Sequence, residues 1–352
     1  MLELRRICHK CMLFAMLAMG VTSCDSAIYD DEGDCSVHYR VAFRYTKNIL
    51  GSDAFGPQVT GVHLYVFDKQ GKLVASRDVD RQTSEDNNFF VDLDILPGKY
   101  DMLAWCEGKS PVADAAAFSV PEGAATTQMS DLHAVLPLQG SAPDLYSDRD
   151  IHRLYHGIAT DVDFPDTYGT VTLDPIYLTR DTKHISVLLQ NLDGSAIDKD
   201  EFSFAIEDSN HELDHLNNIV STIPFSYRPW ALDLTSATFD QNDPEANPSP
   251  APARVQTEAN GVLAELTTGR LVAGRKPRLV IRNSDGEDVI RINLIQYLLM
   301  VKGKYEGNNS DQDYLDRYDD HTMMFFIDNG TWAKIKVYIN GWRIVPPQDI
   351  EL

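Results

Sequence analysis

Two histidines stand four residues apart in a string that could bind zinc. Residues 211–215 read His-Glu-Leu-Asp-His and match the H-E-x-x-H pattern, in which a helix presents both imidazoles and the glutamate acts as a general base. A catalytic zinc needs three protein ligands, and residues 216–222 contain no histidine or acid that could be the third. The turn-forming sequence at 208–210 comes directly before the string. We therefore expect a solvated loop without a metal ion, and a metalloprotease is the less favoured alternative.

A second set of metal-ligand residues is acidic. Carboxylate oxygens are the ligands that calcium prefers. The run lacks the glycine and the terminal glutamate of an EF-hand loop, so a solvated helix face, with Tyr314 and Leu315 packing inward, is favoured over a calcium site. The aspartates of this run are Asp311, Asp313, Asp316, Asp319 and Asp320.

Other chemical signatures are missing from the sequence. We find no nucleophile elbow, no glycine-rich phosphate loop and no dinucleotide-binding fingerprint after a strand. The tryptophans could line a sugar site, although core packing is the favoured interpretation of each. The sequence thus predicts no catalytic residue, no cofactor and no small-molecule substrate. The tryptophans are Trp105, Trp230, Trp332 and Trp342.

The cysteine at position 24 has the sequence context of a lipid attachment site. A basic segment, residues 5–10, precedes a mostly apolar stretch, residues 11–21, that is too short for a spanning helix of roughly 20 apolar residues. This order is typical of a signal peptide. Residues 21–24 read Val-Thr-Ser-Cys and match a lipobox, in which small residues precede the cysteine that accepts a diacylglycerol. We predict a signal peptide over residues 1–23 and an exported lipoprotein, and an ordinary secretory signal is the alternative.

The charge of the chain excludes one class of partner. The net charge is −22, and the leader contributes +2 (three basic residues and one acidic residue), so the remaining chain is near −24 (−22 − 2). Nucleic-acid binding needs clustered lysines and arginines to neutralise phosphates. A chain this acidic therefore predicts no nucleic-acid partner.

Two cysteines remain beyond the leader and Cys24. Cys35 and Cys106 form an even pair in a protein that is expected to reach an oxidising compartment. A disulfide between them would join the start of the first strand to a later strand of the same domain. Two buried free thiols are the alternative, because sequence alone does not fix pairing.

The pattern beyond the leader is that of an all-β protein. Residues 24–35 are acidic and polar and are read as a tether. Short runs with alternating apolar residues then follow at intervals of about 8–12 residues, which is typical of β-sandwiches. The predicted strands include Val37 to Tyr45, a run with Val62, Leu64 and Val66 on one face, and a run with Ile185, Val187 and Leu189 on one face. We predict two β-sandwich domains, residues 36–177 and 178–352. One or two short helices are expected in the second domain, within residues 294–301 and 313–318.

Several strings become specific when they are taken together and in order. The chain resembles the fimbrial anchor subunits of the FimB/Mfa type found in Bacteroidota, and the resemblance covers nearly all of it. Each string is weak alone, and their order and spacing carry the resemblance. The strings are Asp53-Ala54-Phe55, Leu64-Tyr65-Val66-Phe67-Asp68, Leu96-Pro97-Gly98-Lys99-Tyr100, Leu154-Tyr155-His156-Gly157, Arg180-Asp181-Thr182-Lys183-His184-Ile185, Tyr314-Leu315-Asp316-Arg317, Phe325-Phe326-Ile327-Asp328 and Ile339-Asn340-Gly341-Trp342.

The resemblance implies a fold, a location and a partner. It implies two transthyretin-like Greek-key β-sandwich domains in tandem and no catalytic residues. It also implies a surface-exposed outer-membrane lipoprotein, held through lipid on Cys24, that ends a fimbrium and binds a stalk subunit by β-strand complementation. The alternatives are a surface glycan-binding lipoprotein and a variant stalk or tip pilin.

Overall fold

Short β-strands joined by turns make up most of the chain, and the predicted all-β class is confirmed. The computed structural model describes residues 36–121, 128–240, 256–305, 310–328 and 330–344. The strands in chain order are β1 (Val37–Arg44), β2 (Gly61–Phe67), β3 (Leu73–Asp80), β4 (Phe90–Leu93), β5 (Gly98–Gly108), β6 (His133–Val135), β7 (Gln139–Ser141), β8 (Asp144–Ser147), β9 (Arg153–Phe164), β10 (Gly169–Thr172), β11 (Ile176–Tyr177), β12 (Thr179–Arg180), β13 (Lys183–Asn191), β14 (Phe202–Asp208), β15 (Glu212–Asp214), β16 (Phe225–Tyr227), β17 (Ala231–Asp240), β18 (Gln256–Thr268), β19 (Arg278–Asn283), β20 (Asp288–Asn293), β21 (Asp320–Asp328), β22 (Thr331–Ile339) and β23 (Trp342–Ile344).

The helices in the described part of the chain are short. They are α1 (Phe55–Gln58), α2 (Leu294–Leu299), α3 (Lys302–Tyr305) and α4 (Asp311–Arg317). Side-chain oxygens of Asn293 and Ser310 accept hydrogen bonds from backbone N–H groups in the first turns of α2 and α4, which explains where these helices begin. The two predicted helices are thus present with slightly different bounds. Among the residues described, none of the helices has the length and apolar character needed to span a membrane.

The first sandwich contains a four-stranded sheet and a five-stranded sheet. In the four-stranded sheet β1 pairs with β4 on one side and with β10 and β11 on the other. The five-stranded sheet has the order β12-β9-β5-β2-β3. Alternate side chains of the two sheets form one buried cluster, as period-2 patterning requires. This cluster includes Tyr39, Val41, Phe43, Val62, Leu64, Val66, Met102 and Ala104.

The five-stranded sheet is buried on both of its faces. The residues that alternate with those of the first cluster belong to a second, larger cluster, which they share with the C-terminal half of the chain. The sheet therefore serves both cores, and this explains why β2 and β5 are almost continuously buried instead of alternating. The residues on this second face include Tyr65, Phe67, Leu103 and Trp105.

Two six-stranded sheets form the second sandwich. Their orders are β17-β18-β13-β21-β22-β23 and β20-β19-β14-β16-β8-β7. Ile185, Val187 and Leu189 of β13 point into its core, as the sequence predicted. The β7–β8 hairpin belongs to this sandwich, since β8 pairs with β16. Residues 139–147 therefore lie in the second sandwich, although they precede the proposed boundary at 177/178.

The chain changes sheets at that proposed boundary. β11 pairs with β1 in the four-stranded sheet, and β12 pairs with β9 in the five-stranded sheet. β12 ends at Arg180, and β13 of the second sandwich begins three residues later, at Lys183. The side chains of this crossing segment lie between the two sandwiches, and they build the site described next.

Candidate functional site

The first strand is fully integrated into its sheet. β1 is antiparallel to β4 over Tyr39–Ala42 and parallel to β10 over Val37–Arg40. Tyr39, Val41 and Phe43 are completely buried. The described part of the chain therefore begins with a strand that has neighbours on both sides.

A buried carboxylate joins the end of β1 to the second sandwich. Asp319 accepts hydrogen bonds from Lys183 Nζ at 2.7 Å and from the Tyr45 hydroxyl. The guanidinium of Arg180 lies 3.7 Å from the same carboxylate. All these charged side chains are buried, so their mutual pairing offsets the cost of removing each from water.

A second buried carboxylate extends this cluster. Oδ2 of Asp316 lies 2.7 Å from Lys47 Nζ, and its Oδ1 lies 3.3 Å from Arg270. Arg270 also lies 2.8 Å from Asp181, which accepts a hydrogen bond from the amide of Asn217 at 2.9 Å. These residues and those around Asp319 are called the junction cluster below. They belong to five separate segments of the chain, so the cluster exists only when both sandwiches are in place.

The electrostatics of the junction cluster favour its charged forms. Burial acts to raise the pKa of Asp316, but Arg270 and Lys47 hold that pKa below its ordinary value. Burial acts to lower the pKa of Arg270, and the carboxylates of Asp181 and Asp316 raise it instead. Burial and the charge of Asp319 raise the pKa of Tyr45, so its hydroxyl stays protonated and donates. This arrangement stabilises a fixed docking of the two sandwiches and does not prepare a group for proton transfer.

A small cavity borders the junction cluster. Its volume is about 210 Å³, and Arg153, Arg180, His184 and Trp230 line it. Hydrogen bonds with Asp320 and Glu265 raise the pKa of His184 to about 9, so this imidazole is cationic at neutral pH. The ring of His184 lies 6.0 Å from that of Trp230. The cavity thus offers cationic side chains beside an aromatic ring, together with the carboxylates of Asp150 and Asp320.

The H-E-x-x-H string does not form a zinc site. Residues 212–214 are strand β15, which pairs with β6, so the two histidines are not one helical turn apart. His211 is buried against Phe225, and the backbone oxygen of His215 lies 2.9 Å from His156 Nε2. The expected solvated loop is also wrong, because the long-range pairing with β6 could not be read from the local turn residues. Within the described ranges, no group of three potential metal ligands comes together.

The acidic run divides into buried and exposed members. Tyr314 and Leu315 are buried in the core, as predicted. Asp316 and Asp319 are buried in the junction cluster and are not part of a solvated face. Asp313 pairs with Arg317 one turn later on α4, at 2.8 Å. The carboxylates that could have formed a calcium site are therefore paired with cationic side chains of the protein itself.

The tryptophans do not form an exposed sugar-binding platform. Trp105 is completely buried and packs edge-on against His156, with ring centroids 4.7 Å apart. Trp332 is buried against Phe325, which agrees with the predicted core packing. Trp342 is 42% exposed, and Lys304 Nζ lies 5.3 Å from the centre of its ring. Trp342 is thus an exception to the prediction, and so is Trp230, which is only half-buried and lines the cavity described above.

Comparison with known proteins identifies the family. The sequence model of the fimbrillin-A associated anchor proteins Mfa1 and Mfa2 matches residues 31–346. The chain belongs to this family. No curated protein matches the chain.

Solved structures support the same fold. A candidate adhesin from Bacteroides thetaiotaomicron is 29% identical, with a TM-score of 0.72, over 90% of this chain and 99% of that one. A candidate polysaccharide-binding protein from the same species is 28% identical, with a TM-score of 0.71, over 90% of this chain and 100% of that one. The fimbrial anchor protein Mfa2 from Porphyromonas gingivalis is 16% identical, with a TM-score of 0.60, over 88% and 99% of the two chains, and shows the fold alone.

The strings that resemble this anchor family converge in the structure. The string at 180–185 supplies Arg180, Asp181 and Lys183 to the junction cluster, and the string at 314–317 supplies Asp316. His156, from a third string, packs beside it on Trp105. The sequence did not single out Lys47 or Arg270. Their only local signal is a charge beside a buried strand, which is too common to be informative.

The structure describes only one of the three cysteines that the sequence singled out. Cys24 and Cys35 lie outside the described residues, so lipid attachment and the disulfide stay predictions. Cys106 is completely buried in β5, and burial raises the pKa of its thiol.

Proposed function

We propose that this anchor-family protein is the lipid-anchored base of a surface fimbrium. Lipid on Cys24 would hold it in the outer membrane, and a fimbrial stalk subunit would bind it by β-strand addition. The family and its adhesin-like structural relatives support a structural role in a fimbrium. The lipid, the membrane and the strand addition are the parts that we propose.

The position of β1 carries the proposal. This strand begins 13 residues after Cys24 and lies between β4 and β10 in the middle of its sheet. The side chains that it buries are core residues of the first sandwich. A chain that is tied to a membrane at Cys24 is therefore tied to the centre of a complete sandwich. Such a sandwich needs no strand from another subunit at this position, as suits the last subunit of a fibre.

Exposed sheet edges offer places where a stalk subunit could add a strand. β3 and β17 are terminal strands of their sheets, so one side of each has no neighbouring strand among the described residues. Unpaired backbone groups along such an edge can bind an extended segment of a partner. The exposed Leu234 gives β17 an apolar contact beside these backbone groups.

Glycan binding is the second candidate. The cavity beside Trp230 has cationic and aromatic groups, and one structural relative is described as a candidate polysaccharide-binding protein. The buried positions of Trp105 and Trp332 favour the structural role, because neither ring is exposed to stack on a sugar.

Purification of the intact protein from its native outer membrane tests the proposal. We expect a pilin-like subunit to co-purify and to stay bound in mild denaturant, since an inserted strand is held by many backbone hydrogen bonds. Recovery of glycan-uptake components, or of no partner from fimbriated cells, would favour glycan binding over the anchor function. Recovery of subunits on both ends of the protein would instead indicate a stalk pilin.

Metabolic labelling with palmitate tests the anchor separately. Cys24→Ala should abolish the label and release the protein from the membrane fraction. Cys35→Ala is the matched control, since it removes a nearby cysteine outside the lipobox, and it should keep the label. A label that persists in Cys24→Ala would refute lipid attachment at this residue.

A further inference from the structure

An exposed apolar cleft opens at the end of the first sandwich where the described chain begins. Leu96 is 78% exposed, Tyr168 is 81% exposed and Val74 is 44% exposed, and all three line this cleft. Its volume is about 690 Å³, and Ile95 and Tyr100 add further apolar surface. Single exposed apolar residues are common on proteins, but several that share one cleft mark an interaction surface.

The chain that precedes the described residues leads directly to this cleft. Ser36, the first described residue, lines it and lies 12 positions after Cys24. An extended chain spans at most about 3.5 Å per residue, so the cleft lies within roughly 40 Å of the residue that would carry the lipid. With the proposed lipid on Cys24, the cleft would therefore be within reach of the bilayer.

We infer that the cleft formed by Leu96, Tyr168 and Val74 is a membrane-contact surface whose ligand is the interfacial layer of a lipid bilayer. Its position relative to the membrane rests on the proposed lipid at Cys24, but the surface can be tested without that lipid. Leucine and valine side chains partition into the boundary between headgroups and acyl chains. A tyrosine suits the same layer, because its ring is apolar and its hydroxyl can stay in water.

Charge indicates which lipids the surface contacts. Asp94 and Asp166 line the same cleft, and His38 Nδ1 lies 2.8 Å from Asp94. These carboxylates are repelled by anionic headgroups, whereas zwitterionic headgroups present ammonium groups to them. Partitioning should therefore be stronger into zwitterionic vesicles than into phosphatidylglycerol vesicles. Added salt should reduce the difference, since it screens exposed charges.

Vesicle sedimentation of the chain without its lipid tests the surface. Residues 25–352 contain every strand described above, and we expect them to partition into vesicles of phosphatidylethanolamine and phosphatidylcholine. The double variant Leu96→Ser/Tyr168→Ser should lower the partition coefficient about tenfold, because it removes two large apolar side chains from the contact. The matched control is Leu216→Ser/Ile223→Ser, which changes exposed apolar residues outside the cleft and should partition like the parent.

The outcomes separate this inference from the proposed function. Near-ultraviolet circular dichroism and the thermal midpoint verify that both double variants fold. No partitioning of the parent at lipid concentrations that bind a myristoylated control peptide would overturn the inference, as would equal partitioning of the two double variants. Loss of a co-purifying fimbrial subunit by the cleft variant, with unchanged vesicle binding, would overturn it in favour of a protein ligand. Palmitate labelling at Cys24 reports on the anchor independently of all these results.

Discussion

The Nζ atom of Lys47 lies 2.7 Å from Oδ2 of Asp316, and the two residues are 269 positions apart in the chain. Lys47 follows β1 in the first sandwich, and Asp316 lies in α4, which packs with the second. Both carboxylate oxygens of Asp316 face cations, because Arg270 approaches the other. The pair therefore ties the strand at the N-terminal entry to the C-terminal half of the protein.

Replacement of Asp316 should weaken the docking of the two sandwiches. Asp316→Asn keeps the size of the side chain and leaves Lys47 and Arg270 without their shared anion, so we expect a loss of about 3 kcal/mol in the free energy of unfolding. Asp313→Asn, on the same helix, removes only a partly exposed pair with Arg317 and should cost about 0.5 kcal/mol. Denaturant titration measures both. Equal losses would show that the junction cluster contributes no more than a surface pair.

The stability of the protein should depend on pH through His184. Its pKa in the folded protein is about 9 and its ordinary value is 6.5, because hydrogen bonds with Asp320 and Glu265 favour the cation. The contribution is therefore complete below about pH 6.5 and is lost as the pH rises through about 9. At the low-pH end of this range, we expect the free energy of unfolding of His184→Gln to be roughly 1–3 kcal/mol below that of the parent. Above the range, the two free energies should converge.

Denaturant unfolding at a series of pH values between these limits measures that difference. His63→Gln is the matched control, since His63 lies 2.7 Å from an exposed carboxylate, that of Asp78, at the surface. The free energy of unfolding of His63→Gln should stay close to that of the parent over the same pH range, because exposed ion pairs contribute little to stability. A His184→Gln profile parallel to that of the parent would contradict the prediction.

A close approach of two strands makes Gly157 sensitive to any side chain. A Cβ at this position in β9 would lie 2.5 Å from Ile176 Cγ2, 2.8 Å from Leu178 Cδ2 and 2.9 Å from the backbone oxygen of Tyr177. Gly157→Ala must therefore displace the crossing from β11 to β12, and we expect a loss of about 2 kcal/mol. Gly303→Ala in α3, where nothing lies within 4 Å of an added Cβ, should leave stability unchanged or slightly higher. Thermal unfolding of both variants checks this, and equal midpoints would show that β11 and β12 can move at no cost.

The predicted disulfide between Cys35 and Cys106 can be tested by alkylation. The bond would protect both residues from an alkylating reagent after denaturation without reductant, whereas two free thiols would both be modified. In the native protein Cys106 should be unreactive, because it is inaccessible and its pKa is raised. Peptide mapping by mass spectrometry counts the labels. A linked peptide pair under non-reducing conditions would establish the disulfide that the sequence predicted.

The strands that the sequence predicted well are those whose pattern is local. The run predicted from Val37 to Tyr45 is β1, and the alternation of Val62, Leu64 and Val66 is β2. Residues of this kind alternate between a core and a second environment, so their period is visible without knowledge of their partners.

Other elements depend on distant partners and could not be predicted in this way. β6, β7 and β8 have only three or four residues each, and they are strands because they pair with β15, β16 and each other. The junction cluster is similar, since Arg270 and Asp181 are 89 positions apart and neither is unusual locally. The family resemblance pointed to some residues of this cluster, because a family motif marks residues whether or not their contacts are known.

The central place of β1 also bears on how the protein withstands tension. With the proposed lipid on Cys24, a pull from the membrane would load β1 along its length, and the hydrogen bonds of β1 to β4 and β10 lie across that direction. Bonds loaded in this way share the force and must break together, whereas a strand peeled from a sheet edge loses them one at a time. Under the proposed tether, β1 would thus be an attachment loaded in shear, which suits forces that act along a fibre at the cell surface.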